Sequence, residues 1–558
     1  MVTKRKTAYI FIITMLLIYI LPISHTSVLS VSLYSGFYVT NTGSSGAGSL
    51  RQAMLDADAN AGMDYIHFNI PETDPGYSET LGVWFINLTT VLPQLTDPNG
   101  VVIDGSTQPG THDYLPEIII DASMLPAGTE IFTILSDWNE IYSLGLMSSQ
   151  GNSIEFDLDA DNNIISGNQI FNSMGYGIKL NSGSDDNSFI DNKICGHKDD
   201  GIYIEDSNNT FISGNVIGIQ PSYIPSVLQN EGNGISCIQC RGSTIQGNTV
   251  SGNFGHGLYF SNAMSNLIKT NQIGLSEDGI DEVGNKKFGI LLENNSRDND
   301  IFENWISGNT MDGIRLTGGG TYNNHIEKNA IGLGFNGAVP NGWHGIGIYD
   351  GAHDNHIGNL SAPQHGNLIK YNGWSGVVVV NSSIGNNFIV DNYIETNQYY
   401  GIHINESYNN FIASNMINSN GYIGTYAGIR IEGAISTSNA ITMNSISLNS
   451  GLGIQLVSGG NAELAAPVIT STTCTSVTGT TCPDCSVELY SDNEDEGRVF
   501  ELLLVADASG NFSITDYTAG FTGPNLTAIT FDLDGNTSQF SAAMEGFCLE
   551  FFLPLVLR

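Results

Sequence analysis

Asp199 and Asp200 stand side by side just ahead of a glycine, and His256, Asp312 and His344 hold the position before three later glycines of the same local pattern. Carboxylates of this kind cleave glycosidic bonds, one as acid and one as base or nucleophile, provided they lie close together. A second chemistry needs a basic group that abstracts a proton beside acids that bind calcium, as in eliminative cleavage of a polysaccharide. Arg315, with Glu293 one repeat earlier, is the pair that could supply it; Lys179 and Arg430 share the position of Arg315, and Glu205 and Glu432 that of Glu293. The competing reading is a turn Asp, a turn His and a solvated charged face. Two residues before the glycine, four consecutive repeats carry Trp343, Trp374, Tyr399 and Tyr426. Exposed, that column is a platform on which sugar rings stack and a candidate ligand site; buried, it is an internal aromatic ladder, the reading that stacked coils favour.

Two acidic segments, Asp157-Leu-Asp-Ala-Asp161 and Asp532-Leu-Asp-Gly-Asn536, invite a calcium reading, but neither has the Gly and Glu spacing of an EF-hand loop. Looser surface calcium stays open, and the sequence calls for no other cofactor. Cys474, Cys482, Cys485 and Cys548 are candidates for disulfides, with Cys482-Pro-Asp-Cys485 read as a local structural bridge, since no His or thioredoxin-like pattern accompanies it.

The residues that would position this chemistry form a repeat. Gly followed by alternating apolar residues recurs eleven times, from Gly177-Ile-Lys-Leu180 to Gly453-Ile-Gln-Leu456, with a base period of about 24 residues and a recurrent insertion of about eight. Each period adds Asn-x-Ile, as in Asn168, Asn192, Asn304 and Asn415, and many add an Asn four before the Gly, as in Asn253, Asn285, Asn309, Asn341, Asn372, Asn397 and Asn449. Period-two apolar alternation means short strands with one face buried. Three short strands per period with no helical stretch make one coil of a parallel β-helix. Asn in successive coils can bond one another and the backbone, so these columns read as structural. At about 4.8 Å per coil, eleven coils span roughly 50 Å, and Asp200 and His256, two coils apart, are about 10 Å from each other. Insertions follow Asn215-Val-Ile-Gly218, Asn271-Gln-Ile-Gly274, Asn329-Ala-Ile-Gly332 and Asn355-His-Ile-Gly358, so long loops are expected on one side, as walls of a groove or as tolerated decoration.

Residues 151–460 resemble the right-handed parallel β-helix repeat proteins, the superfold of pectate lyases, polygalacturonases and NosD-type proteins. Asp199-Asp200 and Gly255-His256-Gly257 resemble two polygalacturonase motifs, which that family places one coil apart; its Asn-Thr-Asp and Arg-Ile-Lys motifs are missing. Tyr38-Val-Thr-Asn-Thr-Gly43 with Gly48-Ser-Leu-Arg-Gln-Ala53, Val101-Val-Ile-Asp-Gly105 and Cys482-Pro-Asp-Cys485 are similar to CSLREA-type bacterial secreted and surface proteins, although the Cys of that signature is absent. The resemblance implies a fold and hardly a reaction.

The expected class is all-β: a right-handed parallel β-helix of about 14 coils with an N-terminal helical cap and a small C-terminal β-sandwich. The boundaries read as a signal peptide (1–30, from Lys4-Arg5-Lys6 and the apolar run Ala8 to Ile23), an N-terminal strand and capping helix (31–82), the β-helix (83–462), an Ig-like β-sandwich (463–545) and an apolar tail (546–558). Ser49-Leu-Arg-Gln52 is a capping box opening a helix that runs to about Ala61. With 18 Lys and Arg against 56 Asp and Glu, a net charge of −38 argues against nucleic acid and anionic membranes as partners. The expectation is an extracellular or cell-surface monomer with a structural or binding role toward extracellular or cell-wall polysaccharide. The alternative is a polysaccharide lyase or glycoside hydrolase.

Overall fold

The structure is a computed structural model that describes residues 35–110, 115–219, 229–359 and 365–546. The leader, Cys548 and the tail from residue 547 lie outside the described residues. Three sheets of 15, 15 and 13 strands run through the repeat, parallel throughout except where Tyr77–Ser78 pairs antiparallel with Val83–Asn87 at the start of the second, and each regular coil gives one strand to each sheet. The first sheet runs from Ser35–Val39 to Ala440–Thr442, the second ends at Ser445–Ser447, and the third runs from Phe132–Ile134 to Ile454–Val457. Ser35–Val39 pairs in register with Asp64–Phe68, and that strand with Val101–Asp104, so the stack starts ahead of the boundary read at residue 83.

Most strands are two to four residues long because the chain turns at both ends of each. The turn is made by one residue in the left-handed region, such as Asp191 (φ 54°), Glu303 (φ 56°) or Asp391 (φ 59°), followed by a buried Asn. Asp and Asn tolerate that region better than other side chains; Glu303 is there because the ladder holds the corner. In the first sheet one apolar side chain per strand, most often Ile, points inward, and successive coils stack them, as in Ile141, Ile165, Phe189, Ile212, Ile245 and Ile268, all fully buried. β-Branched side chains with restricted χ1 suit such stacked columns.

The Asn residues form ladders through the interior. Asn271 donates from both its backbone N–H (3.0 Å) and its Nδ2 (2.9 Å) to Oδ1 of Asn304, and its Nδ2 also reaches the carbonyl of Ile245 (2.9 Å). That column continues from Asn168 to Asn444. A second column, from Asn230 to Asn449, stands four residues before the repeat Gly at every member except Asn420. A third, through Asn139, Asn163 and Asn187 and then Asn266 to Asn461, stands at the entrance of the first sheet, where Asn-x-Ile recurs in most coils, as at Asn266, Asn299 and Asn410. Here Thr210 and Ser243 interrupt the Asn run.

The long loops do not all leave from one corner. The insertions after Gly218, Gly274 and Gly332 follow second-sheet strands, Val216–Ile217, Gln272–Ile273 and Ala330–Ile331. The one after Gly358 follows a first-sheet strand, His356–Ile357. Asn355 belongs to a different ladder from Asn215, Asn271 and Asn329, so the same four-residue motif marks two corners.

Both open ends are covered. At the start, Leu50–Asp58 is a helix whose N-cap Ser49 Oγ accepts from Gln52 N–H; Gln52 Nε2 donates to Asp56 Oδ1 (2.8 Å) and leaves the capping box half made. Its buried face, Leu50, Ala53, Met54 and Ala57, joins the core with Val39 and Ile66. At the far end, one antiparallel sheet holds Val468–Thr472, Val477–Thr480 and Asn511–Ile514, and another holds Ser486–Asp492, Val499–Val505, Asn525–Phe531 and Met544–Glu545. They share a cluster that includes Ile469, Phe512, Val487 and Leu526. This region closes the last coil with its own acceptors. Glu488 Oε2 takes Met443 N–H (3.0 Å), Asn536 Oδ1 takes Ser438 N–H (2.7 Å), Thr537 Oγ1 takes Ile441 N–H (2.8 Å) and Glu496 Oε2 takes Asn449 N–H (3.3 Å). Tyr490 and Ile529 extend the main core.

Cys482 and Cys485 form a disulfide, and Cys474 is disulfide-bonded as well. A second pair, Cys237–Cys240, crosses a corner of the coil wall; the sequence carries this CxxC, and weighing only the C-terminal cysteines passes over it. Cys195 is a buried free thiol.

Burial pushes the carboxyl of Glu496 up to about 7 from 4.5. A raised carboxyl pKa contributes stability that is complete below the unfolded value and is lost as pH rises through the folded one. Glu496→Gln keeps an oxygen for Asn449 N–H and removes the ionisation. The variant is therefore expected to unfold at higher urea than the parent at pH 8, by up to ~3 kcal/mol, and to match it at pH 4. Equal urea midpoints at both pH values would contradict the assignment.

Candidate functional site

The third sheet presents the wall on which the singled-out residues fall. In each Gly-apolar-x-apolar strand the apolar residues point inward, as with the fully buried Ile202 and Ile204, and the middle residue points outward. The residue before the Gly is covered by the next coil, and four of the catalytic candidates, Asp200, His256, Asp312 and His344, are buried there. Asp200 Oδ1 accepts from the N–H of Asn233, and Asn233 Oδ1 accepts from His256 N–H (2.8 Å). His256 Nδ1 accepts from Phe288 N–H (3.3 Å), Asp312 Oδ1 from His344 N–H (3.0 Å), and His344 Nδ1 from Ser375 N–H (3.2 Å). This is a further ladder, built from mixed side chains. Asp200, His256, Asp312 and His344 each accept a backbone N–H of the following coil in it.

The electrostatics agree. Burial drives the imidazoles of His256 and His344 down to about 3, so both are neutral acceptors. Asp200 is raised by burial and takes a second bond from Ser236 Oγ (2.6 Å). Burial pushes Asp312 up to about 7 against the pull of Arg315, whose Nη1 is 3.5 Å from Oδ2. The Arg315 guanidinium lies over the rings of Tyr349 (3.8 Å) and Phe288 (4.9 Å).

The structure thus brings Arg315 to Asp312 and not to Glu293, which accepts from Tyr259 OH (2.8 Å) and Asn294 Nδ2 (3.1 Å). Arg315 points back along its own coil, where two aromatic rings hold it. Asp200 and His256 are joined only through Asn233, one coil between them, and Asp199 is exposed. Two carboxylates facing one gap, the requirement for hydrolysis, do not occur among these candidates. The calcium-like segments work as turns: Asp161 Oδ1 accepts from Asp185 N–H (2.7 Å), and Asp532 Oδ1 from Asn536 N–H (2.8 Å). Among the described residues no cluster of three or more His, Cys, Asp or Glu is placed to hold a metal ion.

The aromatic column lies on the outer wall and not in the core, because the Ile columns already fill the interior. Trp343 and Trp374 stack with ring centroids 5.2 Å apart and planes 10° apart. Trp374 and Tyr399 meet edge-on at 6.3 Å, and Tyr399 and Tyr426 are tilted at 4.6 Å. Trp374 is 41% exposed and the other three are half-buried. Beside them is a groove of about 540 Å³ lined by Tyr349, Val378, Tyr400 and His403 as well as Trp374 and Tyr426. Those four were missed in the sequence, although a signal was there. Gly347 and Val378 occupy consecutive outward positions where neighbouring coils carry Arg315 and His403. Two small or apolar residues in succession, between Arg315 and His403, open the groove.

A family model described as "Right handed beta helix region" matches residues 156–331 and 335–491. No curated protein matches. Among solved structures, the A-module of the Azotobacter vinelandii mannuronan C-5 epimerase AlgE6 is 13% identical, with 75% of this chain and 97% of that chain covered and a TM-score of 0.39. The Dettilon tailspike protein gp208 is 12% identical, with 90% and 91% covered and a TM-score of 0.40. The Streptococcus pneumoniae surface protein and adhesin PfbA is 10% identical, with 73% and 94% covered and a TM-score of 0.33. Among the described residues no helix is long and apolar enough to cross a membrane. With the family match extending over most of the coils and three parallel sheets stacked coil on coil, this chain belongs to the right-handed β-helix family.

Proposed function

We propose that this is a secreted or cell-surface binding protein that holds a polysaccharide along the aromatic wall of its third sheet. The observation that carries the reading is the half-exposed column Trp343, Trp374, Tyr399 and Tyr426, one ring per coil, bordering an apolar groove. Sugar rings offer apolar C–H faces to aromatic planes, and their hydroxyls match the phenols and imidazoles around the groove. A chain of sugars needs such a platform repeated along its length, which stacked coils supply. The catalytic alternative finds less support, because the acid and base candidates are spent on backbone amides, and the buried Asp312 side chain is reached by Arg315 from its own coil.

Trp374→Ala and Tyr426→Ala are each expected to weaken binding of a retained polysaccharide about 10-fold or more, ~1.4 kcal/mol, in affinity electrophoresis and calorimetry. The melting temperature should hardly move, as both side chains are partly exposed. Tyr38→Ala, at a 59% exposed position outside the groove's lining, is the control and should bind as the parent does. Retention that survives both groove substitutions would remove the wall as the binding site. New reducing ends or unsaturated products would replace the binding reading with an enzymatic one.

A further inference from the structure

The charges along this wall bear on which polysaccharides it can take. The outward row of the third sheet carries three basic side chains, two of them, Arg315 and Arg430, within one coil of the aromatic strip, and each is already matched. Lys179 Nζ is 3.0 Å from Glu155 Oε1, Arg315 is held by Asp312 between two rings, and Arg430 Nε is 2.9 Å from Glu432 Oε2 while its Nη1 donates to Gln455 Oε1 (3.0 Å). A uronate or sulfate would have to displace a resident carboxylate from each. Lys286 and Lys287 are exposed, but Lys287 belongs to a coil two before that of Trp343.

The imidazoles of the groove add no cation: burial lowers His344 to about 3, and His403 is also lowered by burial despite Glu432 beside it. The chain as a whole, at −38, repels polyanions at low salt. The carboxylates along the wall are equally committed. Glu432 serves Arg430 and His403 (3.2 Å), and Glu293 serves Tyr259. What the groove offers is ring faces, aliphatic Val378 and Val380, and the uncharged polar groups of Ser375 and four tyrosines.

From this matching of charges we infer that the polysaccharide held on the wall is uncharged, bound through ring faces and hydroxyl hydrogen bonds and not through ion pairs. The inference rests on the binding reading above and narrows it to one chemical class. It also separates this wall from one that grips acidic polymers, which needs unpaired Arg and Lys.

The test is affinity electrophoresis of the full mature chain and of Trp374→Ala in gels holding one polymer each. The neutral polymers are hydroxyethyl cellulose, galactomannan, arabinoxylan and pullulan; the anionic ones are carboxymethyl cellulose, polygalacturonate and alginate; the cationic one is chitosan. Runs are made at low salt and at about 0.5 M salt, where exposed charges are screened. At least one neutral polymer should retard the parent, with affinity changing less than about 2-fold across that salt range and falling about 10-fold in Trp374→Ala. The anionic polymers should bind at least about 10-fold more weakly at low salt. Chitosan capture should be abolished by salt and indifferent to Trp374→Ala. An anionic polymer, or salt-resistant chitosan, bound more tightly than every neutral one and released by Trp374→Ala would overturn the inference while leaving the wall as a binding site. Retention of no polymer at all would overturn the binding reading itself.

Discussion

Replacing Asn304 by Leu is expected to cost about 3–5 kcal/mol, although the two side chains are close in size and the site is fully buried. Asn304 Oδ1 accepts two bonds from Asn271, its Nδ2 donates to the carbonyl of Ile268 (2.9 Å) and to Asn329 Oδ1 (3.0 Å), and no water reaches the column. Leucine adds apolar burial but leaves the Asn271 N–H without a partner, at about 1–3 kcal/mol, and takes a bond each from Asn271 Nδ2, the Ile268 carbonyl and Asn329 Oδ1, at about 0.5–1.5 kcal/mol apiece. Coils contact only their neighbours, so the damage should be local. The measurement is amide hydrogen exchange together with urea unfolding. Protection should fall at Asn271, Asn304 and the amides beside them, and hold in coils far along the stack. A loss under ~1 kcal/mol would mean that apolar packing can replace the ladder's hydrogen bonds.

Ending the chain after Glu463 should have the larger effect on solution behaviour. The stack then presents three strand edges, Ala440–Thr442, Ser445–Ser447 and Ile454–Val457, and loses the acceptors that Glu488, Asn536, Thr537 and Glu496 supply to its last coil. Ile441 and Ile446, now 1% exposed, would face water. Unpaired parallel edges with an apolar interior behind them are templates for other chains. Light scattering after size exclusion should show the truncated chain as large, polydisperse species under conditions where the parent elutes as one sharp peak. A truncated chain as monodisperse and as heat-resistant as the parent would show that the C-terminal sheets are an appendage and not a cap.

The repeat was legible because its physics is local. Alternation around each Gly specifies which residues face inward, and a period of about 24 with Asn at fixed offsets leaves few folds other than stacked coils. The two Asn columns nearest the motif, the Ser49 cap and the Cys482–Cys485 bridge follow from neighbouring residues alone. The first-sheet ladder was harder to separate, because it carries the same Asn-x-Ile motif at a second corner, as at Asn266, Asn299 and Asn410, and Thr210 and Ser243 break its run.

The site divides along the same line. Composition and spacing placed Asp200, His256, Asp312 and the aromatic column at matched positions of one wall. Whether those polar groups are free for chemistry depends on the coil above, which lies 23 to 33 residues away in sequence and lays its N–H groups onto their acceptor atoms. Arg315 had two carboxylates within reach of its sequence position, and only the packing of Phe288 and Tyr349 around it selected Asp312 over Glu293. The aromatic column faces outward because the interior was already full. Period and residue type determined the coil and its columns; inter-coil packing, which sets burial and hydrogen bonding, decided which columns are scaffold and which remain open to a ligand.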